Sequence, residues 1–262
     1  MLIFLLACDA AEPDSGDTGA VYDRSPDVLT LTGDAANGES VFGGSCTSCH
    51  GYSGGGDIGP ALADVVQDAM KQVSLKPGDT VLDIGANDGT LLDCYPQDVT
   101  RIGFEPAVNV ARLAQERGHT IVQDFFPPSA GLPTKAKIIT SVAMFYDVDR
   151  PGEFVDGIKK ALAPDGVWVV QMPDLWQMVN RRAFDNICHE HLTYWSGRAF
   201  DRLMAYHGLR VIQMTANNVN GGSMRYLVKH ADHVQRDDLH WQGDTAFDTD
   251  RFDIFDLDIC EL

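Results

Sequence analysis

Thr80-Val81-Leu82-Asp83-Ile84-Gly85-Ala86-Asn87-Asp88-Gly89-Thr90-Leu91-Leu92 decides the fold of this 262-residue chain. An apolar, β-branched run closes on an acid, passes through Gly85 and Gly89, and resumes with residues that read as a helix. That order predicts a strand, a tight turn and a helix start, the unit that meets nucleotides at the edge of a parallel sheet. Glycine belongs in such a turn because the backbone bends sharply there and a ligand comes close. Working outward, Leu62, Val66, Ala69, Met70 and Val73 repeat at helical spacing, and Pro77-Gly78 turns the chain into the first strand. Further strands are predicted at 101–104, 120–122, 138–142 and 167–170. Helices are predicted at 107–117 (closed by Gly118), around Phe154, Ile158, Ala161 and Leu162, and over 197–207, with last strands near 210–214 and 224–228. This alternation predicts an α/β, Rossmann-like fold: a mostly parallel, doubly wound sheet with helices on both faces.

The acids near the turn set the charge of its ligand. Asp83 at the strand end and Asp88 in the loop disfavour a pyrophosphate, and no Gly-Lys-Ser/Thr is there to hold phosphate. Glu105 ends the next strand about 20 residues on, where an acid takes ribose hydroxyls. A cation carrying a ribose fits, and S-adenosylmethionine (SAM) has that chemistry. Asp83, Gly85, Asn87, Asp88, Gly89 and Glu105 are its expected contacts, with Asp124 and Phe125 after the third strand. The competing reading is an ordinary turn in another doubly wound fold.

The net charge of −18 is unevenly spread: residues 1–60 and 237–262 each hold nine acids against one base, while the middle is nearly balanced. The lack of a basic patch argues against nucleic acid as a partner. The six cysteines follow no pairing rhythm and are not a disulfide framework. Residues 1–33 read as a lipoprotein-like signal and an acidic linker. Met1-Leu2-Ile3-Phe4-Leu5-Leu6-Ala7-Cys8 resembles the end of a bacterial lipoprotein signal, and membrane attachment is expected only through a lipidated Cys8. In 34–61, Cys46-Thr47-Ser48-Cys49-His50 has the spacing for covalent c-type haem, with two thioethers and an axial histidine. With Gly38–Phe42 and Gly59–Leu62 around it, this stretch resembles the first half of a class I cytochrome c. Met70 comes too early for a sixth ligand, so attachment residues without a working low-spin haem are expected. Three ligands without a second pair do not make a zinc site, and no metal is expected.

Chemistry is expected at Phe184-Asp185-Asn186-Ile187-Cys188-His189-Glu190-His191-Leu192-Thr193-Tyr194-Trp195-Ser196, which follows the fifth strand and so meets the crevice at the strands' carboxyl ends. Strand-like alternation would send His189 and His191 one way and Cys188 and Glu190 the other. A histidine held by a nearby carboxylate is a ready general base. A zinc site, a catalytic thiol and a structural turn compete with that reading. His-Glu-His lacks the i, i+4 spacing of a zincin, and Cys188 has no acylation motif around it.

Four motifs occur in order: Asp83–Leu92, Phe104-Glu105-Pro106, Phe184-Asp185 leading into His189-Glu190-His191, and Asn220-Gly221-Gly222-Ser223-Met224-Arg225. Together, over about 62–230, the chain resembles the SAM-dependent C-methyltransferases of nucleotide-linked deoxysugars. The resemblance implies a class I methyltransferase core over 62–235 and a small-molecule keto-sugar nucleotide as substrate. It also implies a cytoplasmic location, which conflicts with the lipoprotein-like start. By the same resemblance His191 removes the proton alpha to the ketone, with Glu190 in support and His189 beside it. The enolate takes the SAM methyl group in line, and Arg225 or a backbone donor near Gly222 steadies the carbanion. Cys188 stands where the family has a sugar-orienting Tyr, and Tyr146 or Asp147 where it often has a His; Tyr194 and Ser223 complete the expected substrate contacts. Residues 236–262 are expected to be an acidic tail, the remnant of a second domain. Two alternatives remain: O- or N-methylation, which needs no alpha-proton base, and a c-haem electron-transfer lipoprotein.

Overall fold

The computed structural model describes residues 62–128, 134–234 and the backbone of 240–242. The lipoprotein-like start, the linker, the haem-attachment residues Cys46, Cys49 and His50, and most of 236–262 lie outside the described residues. In chain order the elements are α1 (Leu62–Gln72), β1 (Thr80–Ile84), α2 (Thr90–Asp93), β2 (Thr100–Phe104), α3 (Val108–Glu116), β3 (Thr120–Val122) and β4 (Ala136–Val142). Then come α4 (Pro151–Ala161), β5 (Leu162–Pro173), α5 (Leu175–Arg181), α6 (Gly197–Tyr206), β6 (Leu209–Asn217), β7 (Ser223–His230) and β8 (His240–Gln242). Short 3-10 turns at Phe145–Asp147, Phe184–Asn186 and Val219–Gly221 sit where the functional residues were expected.

The strands form one sheet in the order β3-β2-β1-β4-β5-β7-β6-β8. β1 pairs in parallel with both β2 and β4, so the order reverses between β1 and β4, and the crevice opens at their carboxyl ends. β7 is antiparallel to β5 and to β6; its short link from β6 permits only that direction. Two elements go beyond the sequence reading. Helix α5 is started by Asp174, whose side chain accepts the Gln177 N–H. β8 pairs in parallel with β6 past residue 235, where the domain was expected to close.

Each sheet face carries its own apolar layer. In β5 the side chains alternate: Trp168 and Val170 join Phe145, Phe154, Phe200 and Tyr226, while Val167 and Val169 face Val65, Val66 and Ala69 of α1. Helix α4 opens with Pro151 and Glu153 and ends with Lys159 and Lys160, charges that suit the helix dipole at both ends. Its Phe154 packs edge-on against Phe145 at 5.5 Å between ring centroids.

Candidate active site

The loop after β1 is built to bring two strand ends together. Gly85 has φ +77, and a Cβ there would lie 3.3 Å from the Met144 side chain in the loop after β4. Any other residue would be strained and would push these loops apart across the switch point. Glu105 braces the loop from β2: one carboxylate oxygen accepts the Asn87 N–H and the other accepts the Ala107 N–H, each at 2.9 Å. Burial raises the Glu105 carboxyl above its ordinary value, against the lowering effect of those two bonds. An ionised carboxylate offers about four acceptor sites, so these two bonds leave two unused on a side chain that is fully buried. Asn87 is exposed on this loop, and Phe125, 74% exposed at the carboxyl end of β3, offers a bare aromatic face beside Asp124.

Two acids expected to meet the ligand have protein partners instead. Asp83 is buried and accepts the Thr140 hydroxyl at 2.6 Å, and burial pushes its carboxyl up to about 7. Asp88 accepts both the backbone N–H and the hydroxyl of Thr90, and it pairs with Arg117 at 3.1 Å. Arg117 also grips Asp93, whose other oxygen meets the buried His119 at 2.8 Å. The His119 ring packs so close that a Cβ on Gly89 would lie 2.5 Å from it. Gly89 therefore serves helix packing as well as the turn.

The segment 184–196 is anchored at its carboxyl end by aromatic packing around Trp195. Phe145 and Trp195 lie 5.4 Å apart, and Phe145 also meets Trp168 and Phe200. Tyr146 follows Phe145, and its carbonyl accepts the N–H groups of both Leu192 and Thr193 at 3.0 Å. These bonds draw His191 onto the Tyr146 ring, with centroids 4.4 Å apart. His191 Nδ1 lies 2.7 Å from the Asn186 carbonyl, and Tyr194 donates to the same oxygen at 3.4 Å. A carbonyl cannot donate, so Nδ1 carries a proton, and in the neutral ring the lone pair is on Nε2.

The histidine motif does not alternate as a strand would. Residues 189–190 form a turn, so Glu190 pairs with the exposed His189 at 3.2 Å, and a carbonyl rather than a carboxylate holds His191. Asp147 Oδ1 is buried with no hydrogen-bond partner among the described residues, and burial, with the Glu190 charge adding to it, pushes this carboxyl up to about 7. Burial, with the neighbouring Asp147 carboxyl adding to it, raises the Tyr146 hydroxyl far above its usual range, and Cys188 is a free, half-buried thiol. Tyr146, Asp147, Cys188, Glu190, His191 and Tyr194 thus come together.

Arg225 does not join them. It is buried on the α1 face of the sheet, donating from Nε to Gln171 at 2.9 Å and pairing through Nη1 with Asp68. Alternation along β7 sends Met224 and Tyr226 to the other face, and this explains why an arginine so near the motif points away from it. Ser223 is also committed, its hydroxyl donating to the Val219 carbonyl at 2.9 Å. The Gly222 carbonyl accepts the Asp174 N–H at 3.2 Å. Asn186 and Thr140 are the positioning residues that motif reading passed over; for Asn186 the signal was its place within the quoted segment.

A family profile described as a methyltransferase domain matches residues 57–214. The chain is 31% identical over 178 residues to the C-methyltransferase NovU of Streptomyces niveus, an alignment covering 66% of this chain and 42% of that protein. The chain therefore spans less than half the length of that relative. Among solved structures it is similar to a SAM-dependent methyltransferase from Clostridium acetobutylicum, with TM-score 0.53 and 10% identity over 64% of this chain and 90% of the other. It is also similar to the plantazolicin methyltransferase BpumL in a complex with SAH, with TM-score 0.52 and 10% identity over 65% and 83%. At such identities the two structures speak for the fold alone.

Proposed function

The chain belongs to the methyltransferase-domain family, and from that premise we propose that it is a SAM-dependent C-methyltransferase that methylates a nucleotide-linked keto-deoxysugar through an enolate. The observation that carries this reading is the His191 imidazole, with its Nδ1–H on the Asn186 carbonyl, which in the neutral ring leaves Nε2 as the basic nitrogen. O- or N-methylation needs no alpha-proton base, but its hydroxyl or amine proton can pass to such a histidine too, so the base alone does not select carbon. The name of the Streptomyces relative supports carbon as the methylated atom, and the order of the four motifs supports the sugar.

The residues present fit the methyl donor. The loop without a Cβ at Gly85, the spare acceptor sites of Glu105 and the exposed Phe125 face would hold a ribose and a base. SAM, when bound, supplies an electrophilic methyl group. His191 Nε2 takes the substrate's alpha proton; the imidazolium keeps its Nδ1–H on the Asn186 carbonyl, and that bond strengthens once the ring is charged. Asp147, protonated below about pH 7 and with a buried Oδ1 that has no partner among the described residues, is the candidate donor for the enolate oxygen, and the Tyr146 hydroxyl stays neutral beside it. Glu190 acts on Asp147 and His189, so it tunes the site's charge without holding the base.

The test is solvent exchange of the alpha proton of a nucleotide-linked keto-deoxyhexose, measured without SAM. His191→Asn should remove it by a factor of about 10²–10⁴ and leave SAM affinity intact. Glu190→Gln should cost less, and Cys188→Ala least. If Cys188→Ala proves the most damaging of the three, a histidine base is the wrong mechanism.

A further inference from the structure

We propose that the β6–β7 loop sets the tautomer of His191, with Asn186 as the positioning residue that joins them. The inference rests on reading His191 as the base. Asn186 is 9% exposed and uses both of its amide groups: its side-chain Nδ2 donates to the Asn220 carbonyl at 2.9 Å, and its own carbonyl accepts His191 Nδ1–H at 2.7 Å. Locally the same peptide is tied into its own short turn, its Ile187 N–H donating to the Phe184 carbonyl at 3.0 Å. Phe184 is 70% exposed and Ile187 63%, so that turn is packed little, and the side-chain bond to Asn220 is what ties it and its carbonyl to the β6–β7 loop.

The loop at the other end of this bond is tied by several hydrogen bonds of its own. The Val219 N–H donates to the Asn217 side chain at 3.1 Å, and the Val219 carbonyl accepts from Gly222 N–H and from the Ser223 hydroxyl, each at 2.9 Å. The Gly222 carbonyl in turn accepts the Asp174 N–H, which fastens the loop to the end of β5. A chain of hydrogen bonds therefore runs from β5 through the loop and Asn186 to the base. Without an acceptor at Nδ1, imidazole in water favours the proton on Nε2, and that tautomer has no lone pair on the nitrogen that faces substrate. Losing the loop's hold on Asn186 would thus switch the base off without touching it.

Gly221 offers a second way to break the chain. It has φ +72, and a Cβ would lie 2.8 Å from Ala183 Cβ and 3.5 Å from Asn186 Nδ2, so Gly221→Ala must displace one side of the link.

Imidazole ¹⁵N spectra of the full-length protein test this without substrate, with SAM binding and the unfolding midpoint as checks of folding. In the wild type, His191 should show the Nδ1–H tautomer, and the Asn186 side-chain amide should exchange slowly with solvent. Asn186→Ala and Gly221→Ala should each move His191 to the Nε2–H tautomer. Wild-type His191 already protonated at Nε2 would overturn the base reading itself. The Nδ1–H tautomer surviving in a folded variant would overturn only the role of Asn186 and the loop. Should both variants unfold, the wild-type amide decides: exchange as fast as a free asparagine amide would refute the link.

Discussion

Replacing Glu105 by Gln separates two roles that coincide in one side chain. In the wild type each carboxylate oxygen accepts one backbone N–H at 2.9 Å, from Asn87 on one side and Ala107 on the other. Glutamine has a single acceptor oxygen, so its NH₂ must face one of those N–H groups. One charge-assisted bond is lost, at a cost of about 1.5–3 kcal/mol, and a donor in the brace is left unpaired. That part of the loss should appear as lower stability in urea unfolding, with or without ligand. If Glu105 also takes the ribose hydroxyls, SAM binding should weaken by a further 1.5–3 kcal/mol or so, about 10- to 150-fold in Kd by titration calorimetry. Glu105→Ala should act in the same direction. Reduced stability with unchanged SAM affinity would refute the ribose contact and leave Glu105 as a brace alone.

Two further perturbations follow from the buried charges. Asp83 has a folded value of about 7 against an ordinary 3.8, so the folded state holds the proton more tightly and its stability falls as pH rises from about 4 to about 7. Asp83→Asn keeps an oxygen for the Thr140 hydroxyl and removes this dependence; its advantage over wild type should be nil below pH 4 and grow to about 4 kcal/mol at pH 8, at about 1.4 kcal/mol per unit. Parallel stability–pH curves for the two proteins would show that Asp83 titrates normally. Arg225→Met should lower stability by about 1.5–3 kcal/mol through the lost Gln171 and Asp68 bonds, and leave alpha-proton exchange as it was; the reverse outcome would return Arg225 to the catalytic machinery.

The sequence carried the strand–turn–helix unit and the doubly wound order because both are local patterns. A run such as Val81-Leu82 before Gly85 has one good solution, and repeated units of that kind impose a parallel sheet. β8 escaped because His240-Trp241-Gln242 lacks the β-branched run that marks β3, Thr120-Ile121-Val122, at the same length. At the site, residue types were readable but directions were not. The expectation that His189 and His191 share a side assumed an extended chain, whereas a turn at 189–190 couples Glu190 to the wrong histidine for that expectation. Arg225 directly follows Met224 in sequence, yet the pleat of β7 sends it to Asp68 on the opposite face from Met224. Asn186 could not be ranked, because its value lies in contacts with residues 5 and 34 positions away.

The acids around the glycine loop disfavour an anionic ligand by a route other than net charge. Three acids around the loop suggested a strongly negative pocket. Asp88 is neutralised by Arg117, and Asp83 holds its proton up to about pH 7 while facing Thr140. Glu105 remains, and its charge is partly spent on the Asn87 and Ala107 N–H groups, which a phosphate would otherwise have used. In dinucleotide-binding folds the loop and helix N-terminus present free N–H groups to an anion. Here Asp88 covers the Thr90 N–H at the start of α2, and Glu105 covers the Asn87 N–H. The acids exclude a pyrophosphate chiefly by occupying its donors, and selection against an anionic cofactor is therefore achieved by hydrogen bonding more than by net charge.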